Sequence, residues 1–175
     1  MARVTSTRTD PGLGSGLIVV GVDGSAASRQ ALEWAMVEAD ARGQRILAIG
    51  CYETPLLARA SSYPAGSQVT IRELADECRR LLTDAAYIAT KRHPTPQIEA
   101  RVLEGTAANV LVDASAHAAL LVVGSRGHGR LTGLLLGSVS QKCVARAHCP
   151  VVVIGPEARA ETHTALSVAD LRATC

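Results

Sequence analysis

Four short runs in this chain are uncharged and almost wholly apolar: Leu17-Ile18-Val19-Val20-Gly21-Val22, Ile46 to Tyr52, Leu120-Leu121-Val122-Val123 and Val151-Val152-Val153-Ile154. Runs this short and this apolar read as strands buried on both faces, the pattern of an interior parallel sheet. Between them lie stretches with helical spacing. Leu32, Ala35, Met36 and Ala39 follow Ser25, a good N-cap, and stop at Gly43. Ile71, Leu74, Ala75, Cys78, Leu81, Leu82, Ala85 and Ile88 share the face of a longer helix that stops near Pro94. A fifth strand is different: Ile98, Ala100 and Val102 alternate with Glu99 and Arg101, the period of a half-exposed strand at a sheet edge. Thr106 can cap a short helix carrying Val110, Leu111 and Ala114, and a last helix is expected from Val139 to about Ala147. Strands alternating with helices imply right-handed crossovers and one parallel sheet. The expectation is an α/β domain.

Composition narrows this reading. The chain has no Phe, one Trp and three Tyr, so its core must be Ala, Val, Leu and Ile, which suits helices packed tightly on a sheet. A formal charge of +2 and the scarcity of aromatics give no footing for nucleic acid. The five cysteines are odd in number and form no CxxC pair, and no signal peptide is evident, so reduced cytoplasmic thiols are expected. His117, His128 and His148 lack metal-ligand spacing, and no apolar run approaches the roughly 20 residues that span a bilayer. Residues 1–16, rich in Thr, Ser, Arg and Gly, read as a flexible arm, 17–156 as the domain and 157–175 as a tail with weak helical character around Ala165 to Leu171.

The strand Leu120–Val123 runs into Gly124-Ser125-Arg126-Gly127-His128-Gly129-Arg130, and further on comes Gly137-Ser138-Val139-Ser140 at a helix start. Strand, glycine-rich loop and helix N-terminus make an anion site. Glycines let the backbone come close to phosphate, and free N–H groups with the helix dipole behind them favour negative charge. Arg126, His128 and Arg130 add positive charge in or near the loop.

At these residues the chain resembles the universal stress protein family, in particular its ATP-binding members. Their pattern is Gly, two residues, Gly, nine residues, then Gly-Ser or Gly-Thr; Gly124, Gly127 and Gly137-Ser138 match it. Val20-Gly21-Val22-Asp23-Gly24-Ser25 and Cys149-Pro150-Val151-Val152-Val153 are similar to the family's first strand with its acidic turn and to its last strand. The resemblance runs from about Gly16 to Gly155. It implies an open five-stranded parallel sheet of order 3-2-1-4-5 with helices on both faces, Rossmann-like and akin to the adenine nucleotide alpha hydrolases.

The resemblance also implies a site. Asp23 would meet the adenosine end of a nucleotide, with Gly21 and Val22 supplying backbone beside it and Cys51 facing adenine. Gly124, Ser125, Arg126 and Gly127 would shape the phosphate loop, and Gly137, Ser138, Val139 and Ser140 would donate to phosphate from the helix start, Ser138 also capping that helix. The cofactor implied is ATP with Mg²⁺; the partner is a second copy of the chain, through Val151–Ile154; the role is a cytoplasmic, nucleotide-dependent sensor or switch in stress response. The alternative is a slow ATPase or nucleotidyl-transfer enzyme on the same fold. Against it, the sequence has neither a GxxxxGK[ST] loop nor Ser-Gly-Gly-x-Asp-Ser after its first strand, so no dedicated catalytic apparatus is visible.

Overall fold

The structure is a computed structural model, described over residues 16–53, 71–127 and 136–155. Within these residues each apolar run becomes a strand and each helical pattern a helix. In chain order they are β1 (Leu17–Gly21), α1 (Ala26–Arg42), β2 (Arg45–Tyr52), α2 (Ile71–Arg92), β3 (Ile98–Glu104), α3 (Ala107–Ser115), β4 (Leu120–Gly124), α4 (Ser138–Arg146) and β5 (Val151–Ile154). The five strands form one sheet in the order β3-β2-β1-β4-β5, every neighbouring pair parallel. This is the order expected. Its register sets Ile18 between Ile46 of β2 and Leu120 of β4.

Because successive strand residues point to opposite faces, each strand feeds two cores. Ile18, Val20, Ile46, Ala48, Ala100 and Val122 pack against α1 and α2 on one face. Leu17, Val19, Leu47, Ile49, Leu121 and Val123 pack against Leu111 of α3 and Cys143 of α4 on the other. Small residues let the helices approach: Ala27, Ala31, Ala35 and Ala39 of α1 are all buried. The helix is bounded as its sequence demands. Ser25 accepts a hydrogen bond from the Ser28 N–H at 3.1 Å, and Gly43, at φ +61°, closes the other end in the left-handed conformation that glycine tolerates.

Two details depart from expectation. In α2 the buried face is Leu82, Ala85, Ala86 and Ala89, while Ile71 and Ile88 are exposed. Leu82, Ala86 and Ala89 are four and then three residues apart, so the contact stripe is centred on them and Ile88 falls on its flank. In α4, Gly137 occupies the N-cap position and Ser138 is the first helical residue, with no side-chain cap bond. Ser138 therefore does not cap this helix. Thr106 does hold the N-cap position of α3, again without a side-chain bond.

The outer strands behave differently. β3 is protected by charge, with Arg101 Nε donating to Glu99 Oε1 at 2.6 Å. β5 has none: Val151, Val152 and Val153 are half-buried and apolar. Of the arm expected at 1–16 only Gly16 is described, its carbonyl accepting the Arg45 N–H at 2.9 Å; residues 1–15 and 156–175, with the expected tail, lie outside the described residues.

Candidate functional site

Strand order reverses between β1 and β4, and α/β sheets of this kind bind ligands beyond the carboxyl ends of the strands at such a point. The structure opens a cleft of about 390 Å³ there. Every anticipated binding residue except Ser125 lines it: Gly21, Val22 and Asp23 from the end of β1, Cys51 from β2, Gly124, Arg126 and Gly127 after β4, and Gly137 to Ser140 at the start of α4. Residues separated by more than a hundred positions in the chain thus meet at one place. His128 and Arg130 lie outside the described residues.

Close approach explains the glycines. A Cβ on Gly124 would lie 2.8 Å from the backbone carbon of Ala27 and 2.9 Å from the Ser28 nitrogen, so β4 can reach the first turn of α1 only without a side chain here. A Cβ on Gly127 would lie 2.5 Å from Asp23 Oδ2. The loops after β1 and β4 therefore touch. Gly24, at φ +85°, makes the intervening turn possible, and Asp23 Oδ1 accepts the Ser25 N–H across it at 2.9 Å. Ser25 Oγ donates in turn to the Arg126 carbonyl at 3.4 Å.

Ser125 lies beneath the cleft and holds it together. Its N–H donates to the Ile154 carbonyl at 2.7 Å, and its own carbonyl accepts the Gly137 N–H at 2.7 Å. Ser140, itself buried, shares its one hydroxyl proton between the same carbonyl, at 3.1 Å, and the Gly137 carbonyl, at 2.9 Å. The two ends of the glycine loop are thereby pinned to each other and to β5.

The cleft offers both donors and apolar surface. Gln141 N–H makes the first helical bond of α4, to the Gly137 carbonyl at 2.9 Å. The N–H groups of Ser138, Val139 and Ser140 precede that ladder, leaving them for a ligand or water at the positive end of the helix dipole. Ile49, Cys51, Leu111 and Val123 add an apolar wall, and Val139 of the same turn packs against that cluster. Burial pushes the Cys51 thiol up to about 12, helped by Cys78 and Glu53 nearby, so at neutral pH this side chain is an uncharged part of that wall. Free donors beside an apolar wall suit a ligand that joins an anionic group to an apolar one.

Sequence reasoning missed Ser28, Ile49, Ala107, Leu111, Val123, Leu136 and Gln141, which also line the cleft. By their patterning Ile49 and Val123 belong to strand core and Leu111 to helix core, which they also are. Ser28 and Gln141 carried no spacing signal, since each reaches the cleft only through the packing of its helix. No helix among the described residues is long and apolar enough to cross a membrane.

Sheet order and cleft together define a doubly wound α/β protein with a glycine-lined crevice at its switch point. The sequence profile of the universal stress protein family matches residues 16–155, and the chain belongs to that family. It is 36% identical over 143 residues to universal stress protein Rv2623 of Mycobacterium tuberculosis, covering 80% of this chain and 48% of that one. The chain spans about half the length of the curated relatives it matches. Among solved structures, it is similar to a universal stress protein in complex with cAMP, at TM-score 0.59 and 26% identity over 81% of this chain and 97% of that one. A universal stress protein from Archaeoglobus fulgidus is equally similar, at TM-score 0.59 and 26% identity over 79% and 93% of the respective chains.

Proposed function

We propose that this protein binds an adenine nucleotide, ATP above all, in the cleft between β1 and β4 and acts as a nucleotide-dependent sensor or switch in stress response. The observation that carries the reading is the convergence of the anticipated residues on one cleft, lined both by the free N–H groups of α4 and by an aliphatic wall. The similar structure in complex with cAMP supports the adenine assignment. In this reading Ser138, Val139 and Ser140 donate to phosphate, Gly124 and Gly127 bring the loop backbone to it, and Asp23 with Val22 and Cys51 faces the nucleoside. Mg²⁺ accompanies a triphosphate, held mainly by phosphate oxygens and water.

A sensor needs two states that a ligand distinguishes. The outer strand β5 supplies a surface for one: in this reading its half-buried valines pair with β5 of a second copy in a homodimer, and the protein works in the cytoplasm. The flanking segments 1–16 and 157–175 are read as an arm and a tail outside the folded unit.

Calorimetric titration of nucleotide-stripped protein with Mg-ATP, AMP, cAMP and GTP tests the binding. The reading expects adenine nucleotides to bind more tightly than GTP and Ser138→Ala to weaken them. Absence of binding by any of the four overturns it. Light scattering with and without nucleotide tests the dimer, and a monomer in both conditions removes that part.

A further inference from the structure

Ser28 stands where the two halves of the cleft meet, and nothing about its spacing in the sequence marks it. It belongs to the inward face of α1, whose other buried small residues there are alanines: Ala27, Ala31, Ala35 and Ala39. Ser28 is 3% exposed and lines the cleft. A buried hydroxyl costs free energy unless its hydrogen bonds are made, so a serine among alanines needs partners. It has two, both in the turn after β1. Ser28 Oγ donates to the Ser25 carbonyl at 3.1 Å and accepts the Asp23 N–H at 3.4 Å.

The backbone of the same residue faces the other loop. The Ser28 nitrogen lies 2.9 Å from where a Cβ on Gly124 would stand, so the residue sits on the first residue of the glycine loop. Its N–H donates to Ser25 Oγ at 3.1 Å, and that hydroxyl lies within 3.4 Å of the Arg126 carbonyl. One residue thus touches the acidic turn through its side chain and the glycine loop through its main chain. Asp23 and Gly127, which meet across the cleft, belong to the two segments it joins.

We propose that Ser28 is a positioning residue of the nucleotide cleft: its hydroxyl fixes the backbone of Asp23 relative to the glycine loop, so that the Asp23 carboxylate is held where a ligand meets it. The proposal rests on the nucleotide reading given above. It does not make Ser28 a ligand contact. Its effect on binding passes through Asp23, and that sets it apart from a residue that merely packs.

The test is a double-mutant cycle with AMP as the probe. AMP affinity is measured for wild type, Ser28→Ala, Asp23→Ala and the double variant, with melting temperatures for each. Ser28→Ala is expected to weaken AMP roughly three- to tenfold, the size of one hydrogen bond, and to add little once Asp23 is already alanine. Equal losses in the wild-type and Asp23→Ala backgrounds would mean a packing role and overturn the proposal. So would unchanged AMP affinity in a Ser28→Ala variant whose wild-type parent binds AMP, and that outcome leaves the nucleotide reading standing. Amide exchange supplies a readout without ligand: the Asp23 N–H should exchange faster in Ser28→Ala and keep its protection in Ser28→Thr, which retains the hydroxyl. Unchanged exchange in Ser28→Ala overturns the proposal even if wild type binds no AMP, the result that would separately remove the nucleotide reading.

Discussion

Asp23 and Gly127, from the loops that follow β1 and β4, meet so closely that a Cβ on Gly127 would come within 2.5 Å of the Asp23 carboxylate oxygen Oδ2. The glycine thus makes room for a carboxylate. Gly127→Ala is expected to displace the exposed Asp23 side chain at the expense of the hydrogen bond it accepts from the Ser25 N–H, so the fold should survive with melting shifted by no more than a few degrees. The site should suffer more. AMP affinity should fall about tenfold or more, and part of that loss should vanish in the Asp23→Ala background, where the clash is gone. Calorimetry on the four proteins checks it; additive losses would mean that the two residues do not share a place in the site.

Gly124 presents the opposite balance. Its missing Cβ would lie 2.8 Å from the Ala27 backbone carbon, and a helix backbone cannot swing aside as a carboxylate can. Gly124→Ala must push the first turn of α1 off β4, an overpacking that costs about 1–3 kcal/mol. Denaturant unfolding followed by the fluorescence of Trp34, the chain's one tryptophan and a residue of α1, should show the midpoint falling. A midpoint unchanged from wild type would show that α1 and β4 have slack between them.

The thiol in the apolar wall gives a pH prediction. The Cys51 thiol is raised from 9.0 to about 12, first by burial and then by Cys78 and Glu53. Below pH 9 the thiol is protonated whether the chain is folded or not, so its contribution to stability is fully present. Between pH 9 and about 12 the unfolded chain gives up the proton and the folded one keeps it. Stability then falls, by roughly 1.4 kcal/mol per pH unit for one such group. Cys78, Cys143 and Cys149 are raised too, chiefly by burial, and act in the same direction. Urea midpoints at pH 8 and pH 10 check it: Cys51→Ala should lose less between the two than wild type, and an equal loss would mean that Cys51 ionises normally in the folded protein.

These tests also mark how far the sequence could be read. Strand and helix periods are local, and they determine which faces of β1 and β2 are apolar on both sides and that β3 alternates. The glycines of the loop were visible because close backbone approach leaves a residue-type signature at Gly124 and Gly127. What was not legible depends on geometry between elements. Ser28 and Leu111 enter the cleft only because α1 and α3 pack on opposite faces of the sheet and reach its carboxyl end together. Ser138 was a reasonable cap by type, but the turn of chain at Gly137, at φ −73° and ψ 165°, starts α4 one residue earlier. Side-chain type names candidates for a cap, and the backbone path decides which of them is used.

That shift at α4 separates two neighbouring serines experimentally. Ser138 makes no capping bond, so Ser138→Ala should leave the melting temperature within about a degree of wild type, as most substitutions outside the core do. Ser140 is buried, and its hydroxyl binds both the Ser125 and Gly137 carbonyls. Ser140→Ala leaves neither carbonyl orphaned, because Ser125 still accepts the Gly137 N–H and Gly137 still accepts the Gln141 N–H. Its cost to folding should therefore be about 0.5–1.5 kcal/mol, a few degrees in melting temperature. The loop ends, though, are held by one bond fewer, and nucleotide affinity should fall by roughly three- to tenfold. The contrast is the measurement: affinity lost with stability intact at Ser138 marks a hydroxyl that faces phosphate, and affinity lost with stability at Ser140 marks one that holds the loop. The reverse pattern would show that Ser138, and not Ser140, maintains the start of α4.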